Sequence, residues 1–194
     1  METWRTFIAI ELDSILKASL RHAQDRLRTQ ITPRSVRWVQ VAGIHLTLKF
    51  LGDTPVEKVD GVKEALTQAV EDVGPFRLAA RGLGCFPNTR KPRVVWVGVE
   101  EPLGVLSRLQ KAVEAHVSPL GFPAERRAFS PHLTLGRVQQ YASPSEVRQI
   151  GDAVSGGVFE TLGEMKVKAV SYIKSDLTPR GAVYTRLFEA GLHC

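Results

Sequence analysis

The sequence predicts an α+β protein built on antiparallel sheet. Segments with strand character outnumber segments with helical periodicity, and many neighbouring strands are separated by connections short enough for hairpins. A doubly wound parallel sheet would instead need a helix between successive strands. With 194 residues, 43% of them hydrophobic, the chain is long enough to bury a core without disulfides.

Each predicted element rests on a local pattern. Strands are assigned to short apolar or alternating runs, and helices to apolar residues that recur every three to four positions. Proline and glycine mark boundaries, as Pro33 does after the first helix and Gly74-Pro75 after the second. In order, the sequence predicts a strand at 6–10, a helix at 12–27, strands at 36–41 and 45–51 around an Ala42-Gly43 turn, a helix at 55–73, strands at 76–86 and 93–99 joined by a basic loop at 87–92, a helix at 102–117, a strand at 132–138, a short helix starting at Ser143-Pro144, and strands at 165–173 and 182–188 joined by a turn at 178–181.

Charge and cysteine content narrow the partners and the compartment. Lys and Arg number 26 against 20 Asp and Glu, and the net charge of +6 favours polyanionic ligands such as nucleic acid. We expect no disulfide and no catalytic thiol, because Cys85 is interior and Cys194 is terminal. The first twelve residues lack the features of a signal peptide, and no apolar run approaches the length of a membrane span. These observations predict a cytoplasmic protein without a membrane association.

The tetrapeptide HLTL occurs twice, at residues 45–48 and 132–135, which are 87 positions apart and both lie on predicted strands. Side chains alternate along a strand, so His45 and Thr47 share one face while the leucines occupy the other. The same holds for His132 and Thr134. Each strand therefore offers an imidazole and a hydroxyl on one side, and two such pairs suggest a cleft between similar halves.

The residue types in this repeat favour general acid–base catalysis. Neither copy carries the carboxylate or cysteine that usually completes a metal site, and the chain has no G-x-S-x-G nucleophile motif. With an unperturbed pKa of about 6.5, one imidazole can accept a proton from water while the other donates one to a leaving oxygen. Threonine hydroxyls can donate hydrogen bonds to phosphate oxygens. The chemistry alone leaves open which histidine is the acid.

The residues around the repeat also carry a family resemblance. Residues 37–39 (RWV), 45–52 (HLTLKFLG) and 129–137 (FSPHLTLGR) resemble the two-histidine (2H) phosphoesterase superfamily, whose signature is a pair of H-x-T-x motifs. Within it the chain resembles the RNA 2′,3′-cyclic phosphodiesterases, historically called the bacterial and archaeal 2′-5′ RNA ligases. The resemblance extends from the first strand to residues 181–184.

This resemblance implies a single bilobal domain over residues 1–194, in which two antiparallel sheets face a central cleft, helices pack outside and each lobe carries one motif. It implies that RNA ends bearing 2′,3′-cyclic phosphate are hydrolysed to 2′-phosphomonoesters without metal or cofactor. By the family pattern, His132 is the proton acceptor that activates water and His45 is the proton donor to the leaving 3′ oxygen. Thr47 and Thr134 would hold the phosphate.

Residues near the motifs have less definite roles. Arg137 is a candidate phosphate ligand, because the family often has a basic residue after the second motif and a guanidinium suits phosphate oxygens. Strict alternation nevertheless turns Arg137, five positions after His132, to the opposite face unless a bulge intervenes. Phe50 lies five positions after His45, so alternation likewise turns it to the opposite face, and it is assigned to the core. Trp96, within a predicted strand, is also assigned to the core. The remaining candidates for an RNA path are Arg90, Lys91, Arg93, Arg126 and Arg127, for which a solvated charged surface is the alternative.

Two other functions stay open at this point. The same histidines could join RNA ends through a 2′-5′ linkage, the reverse reaction at a strained cyclic phosphate. Alternatively, the cleft could bind RNA or a nucleotide without turnover, although pure binding does not require a matched proton donor and acceptor. Nothing in the sequence requires a protein partner, and we expect a monomer.

Overall fold

The computed structural model describes residues 2–157, 161–179 and 181–193. Across these residues the chain forms nine strands and four α-helices, which confirms the predicted α+β class. The elements are β1 (Thr3–Glu11), α1 (Ser14–Arg28), β2 (Val36–Trp38), β3 (His45–Pro55), α2 (Val59–Val70), β4 (Phe76–Phe86), β5 (Val94–Glu100), α3 (Val105–Val117), β6 (His132–Val138), α4 (Pro144–Gly156), β7 (Gly163–Val167), β8 (Ala169–Thr178) and β9 (Gly181–Gly191).

The strands form one curled antiparallel sheet in the order β7-β4-β5-β6-β3-β1-β8-β9, with β2 added to the free part of β6. The sheet has two halves, one of five strands (β7, β4, β5, β6 and β2) and one of four (β3, β1, β8 and β9). They meet where β3 pairs with β6, through the single residue pair Leu46 and Leu133. This junction positions the two HLTL copies, since it brings their central leucines side by side.

The main apolar core lies between the helices and one face of the sheet. Ile8, Ile10, Leu46 and Leu133 contribute to it from the central strands and are at most 1% exposed. On the opposite face, Phe7, Ala9 and Ile173 form a second, small cluster of buried side chains. None of the helices in the described ranges is long and apolar enough to cross a membrane.

Local capping explains two helix starts. The Asp13 carboxylate accepts a hydrogen bond from the backbone N–H of Leu16 at 2.8 Å and begins α1. Ser143 and Glu146 form a reciprocal capping box at α4. The helix predicted at Ser143-Pro144 is therefore confirmed, and it extends to Gly156.

Two predicted strands were assigned wrongly. The run at 165–173 is two strands, because β7 pairs with β4 whereas β8 pairs with β1 and β9, and the partners change at Lys168. The strand predicted at 36–41 ends at Trp38, and residues 41–43 form a short 3₁₀ turn. Moreover, β2 pairs with β6 rather than with β3. Local patterns carry no information about which distant strand supplies the hydrogen bonds.

An ion pair between the buried Lys49 and the half-buried Glu114 links β3 to α3. The Lys49 ammonium donates to Glu114 Oε2 at 2.6 Å and to the Pro123 carbonyl at 2.8 Å. The Lys49 and Glu114 side chains are only 3% and 15% exposed. Lys49 follows the first HLTL copy directly, while Glu114 and Pro123 precede the second, so this contact connects the two motif-bearing parts of the chain.

Candidate active site

The Leu46–Leu133 pair brings the four predicted motif residues onto one surface. Both leucines point into the core, so their sequence neighbours on β3 and β6 point to the opposite face. Extending the antiparallel register by one residue places His45 across from Thr134 and His132 across from Thr47. The two histidines then lie on a diagonal, where Cα atoms of a regular sheet are about 7–8 Å apart.

Both imidazoles are held by the same backbone contact. His45 Nδ1 donates to the carbonyl of Gly43 at 2.8 Å, and His132 Nδ1 donates to the carbonyl of Ser130 at 2.7 Å. A carbonyl can only accept a hydrogen bond, so Nδ1 carries the hydrogen in each ring. Nε2 is therefore the atom that gains or loses a proton, and each ring can act as an acid or as a base there.

The two rings have different surroundings. His45 stacks on Phe7 with centroids 4.5 Å apart and meets the edge of Tyr184 at 5.2 Å. This burial is the main cause that lowers the pKa of His45 below its ordinary value of 6.5, although the Gly43 hydrogen bond acts in the opposite direction. His132 is contacted by Phe86 edge-on at 4.8 Å and lies 6.3 Å from the Trp96 ring.

Donors on this surface remain available to a ligand. Within residues 2–157, 161–179 and 181–193, the hydroxyls of Thr47 and Thr134 have no hydrogen-bond partner. Nε1 of Trp96 also lacks a partner within those ranges, but it is buried and so is not open to a ligand. Trp96 pairs with Thr134 in the sheet and is half-buried, so its assignment to the core was wrong: its ring lies over Gly84 on the histidine face.

A bulge in β6 turns Arg137 toward the histidines. Thr134 pairs with Trp96 and Gly136 with Val95, so Leu135 is left over in the register with β5. Leu135 and Gly136 are consequently both buried, and Arg137 is exposed on the face of Thr134. The alternation that would turn Arg137 away does not apply, because the extra residue reverses the parity.

The first motif has the same bulge at the same place. Ala9 pairs with Thr47 and Ile8 with Lys49, so Leu48 is the extra residue. Phe50 therefore lies on the histidine face, 65% exposed and 6.0 Å from the Phe7 ring, and its assignment to the core was wrong. Phe50 and Arg137 each lie five positions after the histidine of their motif. They therefore occupy equivalent positions in the two halves of the sheet.

Arg137 on β6 and Arg5 on β1, which belong to different halves of the sheet, both act electrostatically on Tyr184. Burial raises the pKa of the Tyr184 hydroxyl, whereas the positive charges of Arg137 and Arg5 lower it. Arg137 is thus within electrostatic reach of a ring that contacts His45. An open cavity of about 250 Å³ lies beside this ring and is lined by residues that include His45, Ile173, Tyr184 and Arg186.

Sequence reasoning did not find Phe7, Tyr184 or Phe86, which surround the histidines. No local signal identifies them, because each reaches the site through strand pairing. Of the other basic candidates, Arg90, Lys91, Arg93, Arg126 and Arg127 are all exposed, and Arg127 forms an ion pair with Glu125 at 3.0 Å. The described residues contain no group of three or more His, Cys, Asp or Glu placed to hold a metal ion.

Sequence comparison identifies the class to which this fold and site belong. A family profile described as LigT like Phosphoesterase matches residues 10–96 and again residues 97–184. The chain therefore belongs to the LigT-like phosphoesterases. Each match contains one H-x-T-x motif.

Individual relatives agree with this assignment. The chain is 35% identical over 181 residues to the RNA 2′,3′-cyclic phosphodiesterase of Methanothermobacter thermautotrophicus, covering 93% of this chain and 95% of the relative. It is 34% identical to the protein of the same name from Archaeoglobus fulgidus, covering 95% and 99%. Among solved structures, Thermus thermophilus TT0787 superimposes with a TM-score of 0.79 at 30% identity, covering 97% of both chains. Escherichia coli LigT in complex with 3′-AMP gives a TM-score of 0.75 at 25% identity, covering 98% and 99%.

The burial of His45 makes its titration a direct test of this geometry. In the free protein we expect His45 to titrate below pH 6.5, so that more than half of the rings are neutral at pH 6.5. Replacing Tyr184 with alanine removes one wall of the site and should raise this pKa toward 6.5. NMR titration of the histidine ring signals measures both values. The control is Tyr141→Ala, a 72% exposed tyrosine, and an equal shift in that variant would contradict the explanation.

Proposed function

We propose that this chain is a single bilobal enzyme that hydrolyses RNA 2′,3′-cyclic phosphate ends to 2′-phosphomonoesters, without metal or cofactor. The observation that carries the proposal is the pair of H-x-T-x motifs on adjoining strands, with both Nδ1 atoms bound to backbone carbonyls and both Nε2 atoms left for proton transfer. The names of the relatives support the same activity. Both motifs come from one chain, which supports a monomer; we also propose a cytoplasmic location.

In the proposed reaction, His132 Nε2 takes a proton from water as the water oxygen attacks phosphorus. The bond between phosphorus and O3′ breaks, and His45 Nε2 donates its proton to O3′. The products are a 2′-phosphate and a free 3′ hydroxyl, and exchange with solvent restores both rings. Thr47 and Thr134 donate to the non-bridging oxygens, and the Arg137 guanidinium balances their charge.

The assignment of donor and acceptor follows the family resemblance. It requires His45 to be protonated when the substrate is bound. The donor must be protonated, yet burial favours the neutral ring in the free protein. A bound phosphate anion favours the charged ring, so substrate binding would raise the pKa of His45. If His45 is the donor, kcat/KM should fall as pH rises through its lowered pKa, which lies below 6.5.

The decisive experiment uses an oligoribonucleotide that ends in 2′,3′-cyclic phosphate, incubated with the protein in EDTA. We expect complete conversion to a 2′-phosphate end, identified by phosphorus NMR or by digestion followed by chromatography. A 3′-phosphate product would contradict the proposed direction of cleavage. Tight binding without turnover would instead favour a module that captures RNA.

Phe50 offers a platform for the base of the terminal nucleotide. Its ring is exposed on the histidine face beside Phe7, and stacking on an aromatic ring contributes about 1–3 kcal/mol per base. We expect Phe50→Ala to raise KM for a nucleoside 2′,3′-cyclic phosphate by about tenfold, with a smaller change in kcat. Phe50→Trp should keep KM near the original value, and a loss in that variant equal to the loss in Phe50→Ala would argue against stacking.

A further inference from the structure

Two cationic side chains, Arg37 and Arg137, lie side by side on the histidine face. Arg37 on β2 stands directly opposite Arg137 on β6 in the antiparallel register, so their side chains share a face. Both are exposed. Across the sheet, this row of paired residues continues through Val94 to Phe86 and contains no carboxylate.

Like charges directly opposite each other destabilise a sheet. In the part of the chain that the structure describes, neither guanidinium forms an ion pair with a carboxylate. The pair therefore carries uncompensated positive charge in the free protein, and an anion placed between or above the two groups would relieve it.

The backbone holds Arg37 in this position. Gly136 lacks a Cβ, which would lie 2.6 Å from Val36 Cγ1 and 3.1 Å from Trp38 Cε3, so only glycine lets β2 approach this closely. The buried Gln24 amide donates to the Val39 carbonyl at 2.8 Å and to the Leu135 carbonyl at 2.9 Å, which ties β2 to the bulge of β6. The two cations are thus held together by rigid structure rather than by a mobile loop.

We propose that Arg37 binds the next phosphate of the RNA chain, the 5′ phosphodiester of the terminal nucleotide. The inference rests on the proposed function, because it takes the cyclic phosphate to lie between His45 and His132. Arg137 then lies between the two phosphates, and Arg37 contacts only the outer one. Phe50 lies past the opposite end of the motif, so the base and the 5′ phosphate extend from the ribose in different directions. The site accordingly distinguishes oligonucleotides from single nucleotides.

The test compares substrates that differ by this phosphate. The probes are a nucleoside 2′,3′-cyclic phosphate and a short oligoribonucleotide ending in the same cyclic nucleotide. Arg37→Gln should lower kcat/KM on the oligonucleotide by about tenfold and leave the single nucleotide within about twofold of the original. Its salt dependence on the oligonucleotide should weaken by about 0.7 in the slope of log kcat/KM against log salt. The matched control is Arg21→Gln, which removes the same charge from the exposed face of α1.

Other outcomes overturn the inference. Equal losses on both substrates would place Arg37 at the reacting phosphate, and equal losses in Arg37→Gln and Arg21→Gln would reduce its role to net charge. A lowered Tm in Arg37→Gln would indicate a structural role, whereas relief of repulsion predicts an unchanged or slightly raised Tm.

Hydrolysis of the single nucleotide by the unmodified protein tests the proposed function separately. If neither substrate is hydrolysed, the affinities of the matching 2′-phosphate products are measured by calorimetry. A selective loss of oligonucleotide binding in Arg37→Gln would then support the subsite, and an unchanged ratio of affinities would reject it.

Discussion

Alanine at His45 or at His132 is expected to lower kcat for cyclic phosphate hydrolysis by about 10²–10⁴, the range associated with loss of a general acid or base. Nδ1 of each ring is bound to a backbone carbonyl, which leaves Nε2 for proton transfer, so in the proposed reaction each substitution removes one of the two proton transfers. KM should change less than kcat, because the proposed phosphate ligands Thr47, Thr134 and Arg137 are unchanged. Steady-state kinetics with a nucleoside 2′,3′-cyclic phosphate provide the measurement.

The double variant adds a second criterion. In the proposed reaction both rings serve the same hydrolysis, so His45→Ala combined with His132→Ala should be little worse than either single variant. His22→Ala, an exposed histidine on α1, should keep full activity. Thermal unfolding separates a chemical loss from misfolding, which matters for His45 because its ring stacks on Phe7. Near-normal activity in either single variant would reject the proposed mechanism.

The second large effect concerns stability and the buried Lys49–Glu114 pair. Lys49→Met leaves the Glu114 carboxylate without its cation and with only the Gln110 amide as a side-chain donor, and Glu114→Gln leaves a buried ammonium with a weakened set of acceptors. Breaking one side of a fully buried pair costs about 3–5 kcal/mol, and because Glu114 is 15% exposed each variant should lose up to about that much and unfold at lower urea concentration. The control is Lys63→Met in the exposed Lys63–Asp60 pair, which should cost less than about 1 kcal/mol.

A double variant that replaces both Lys49 and Glu114 separates the loss of stability due to an unpaired charge from the loss due to altered packing. Lys49→Met combined with Glu114→Leu removes both charges, and we expect it to recover most of the lost free energy of unfolding. If the double variant is as unstable as the sum of the single variants, the ion pair is not the source of the effect. Lys49 also adjoins the bulge before Phe50, so the single variants should raise KM for the cyclic nucleotide as well.

The sequence identified the site because its signal is local. The same four letters recur on two strands, and alternation alone places each histidine beside its threonine and opposite a leucine. The antiparallel class follows from similar local evidence, since turn residues separate the strand segments. Family resemblance then supplied the roles of the side chains, which the sheet geometry accommodates but does not assign.

The sequence could not decide an outcome that depends on a distant strand: it left the orientation of Arg137 open and assigned Phe50 wrongly to the core. Arg137 and Phe50 face the histidines because a bulge lies at the last residue of each H-x-T-x motif, and a bulge is a mismatch between two partners rather than a property of one strand. The break at Lys168 has the same origin, because the residues on either side of it join different halves of the sheet.

What the sequence determined by itself was therefore the fold class and the four residues of the two motifs, because alternation and turn chemistry act over a few positions. Only the tertiary structure decided what surrounds them: the aromatic walls from Phe7, Tyr184 and Phe86, the orientation of Arg137, and the position of Arg37 beside it. These features depend on the register between strands that are far apart in the chain, and register is set by packing of the whole sheet.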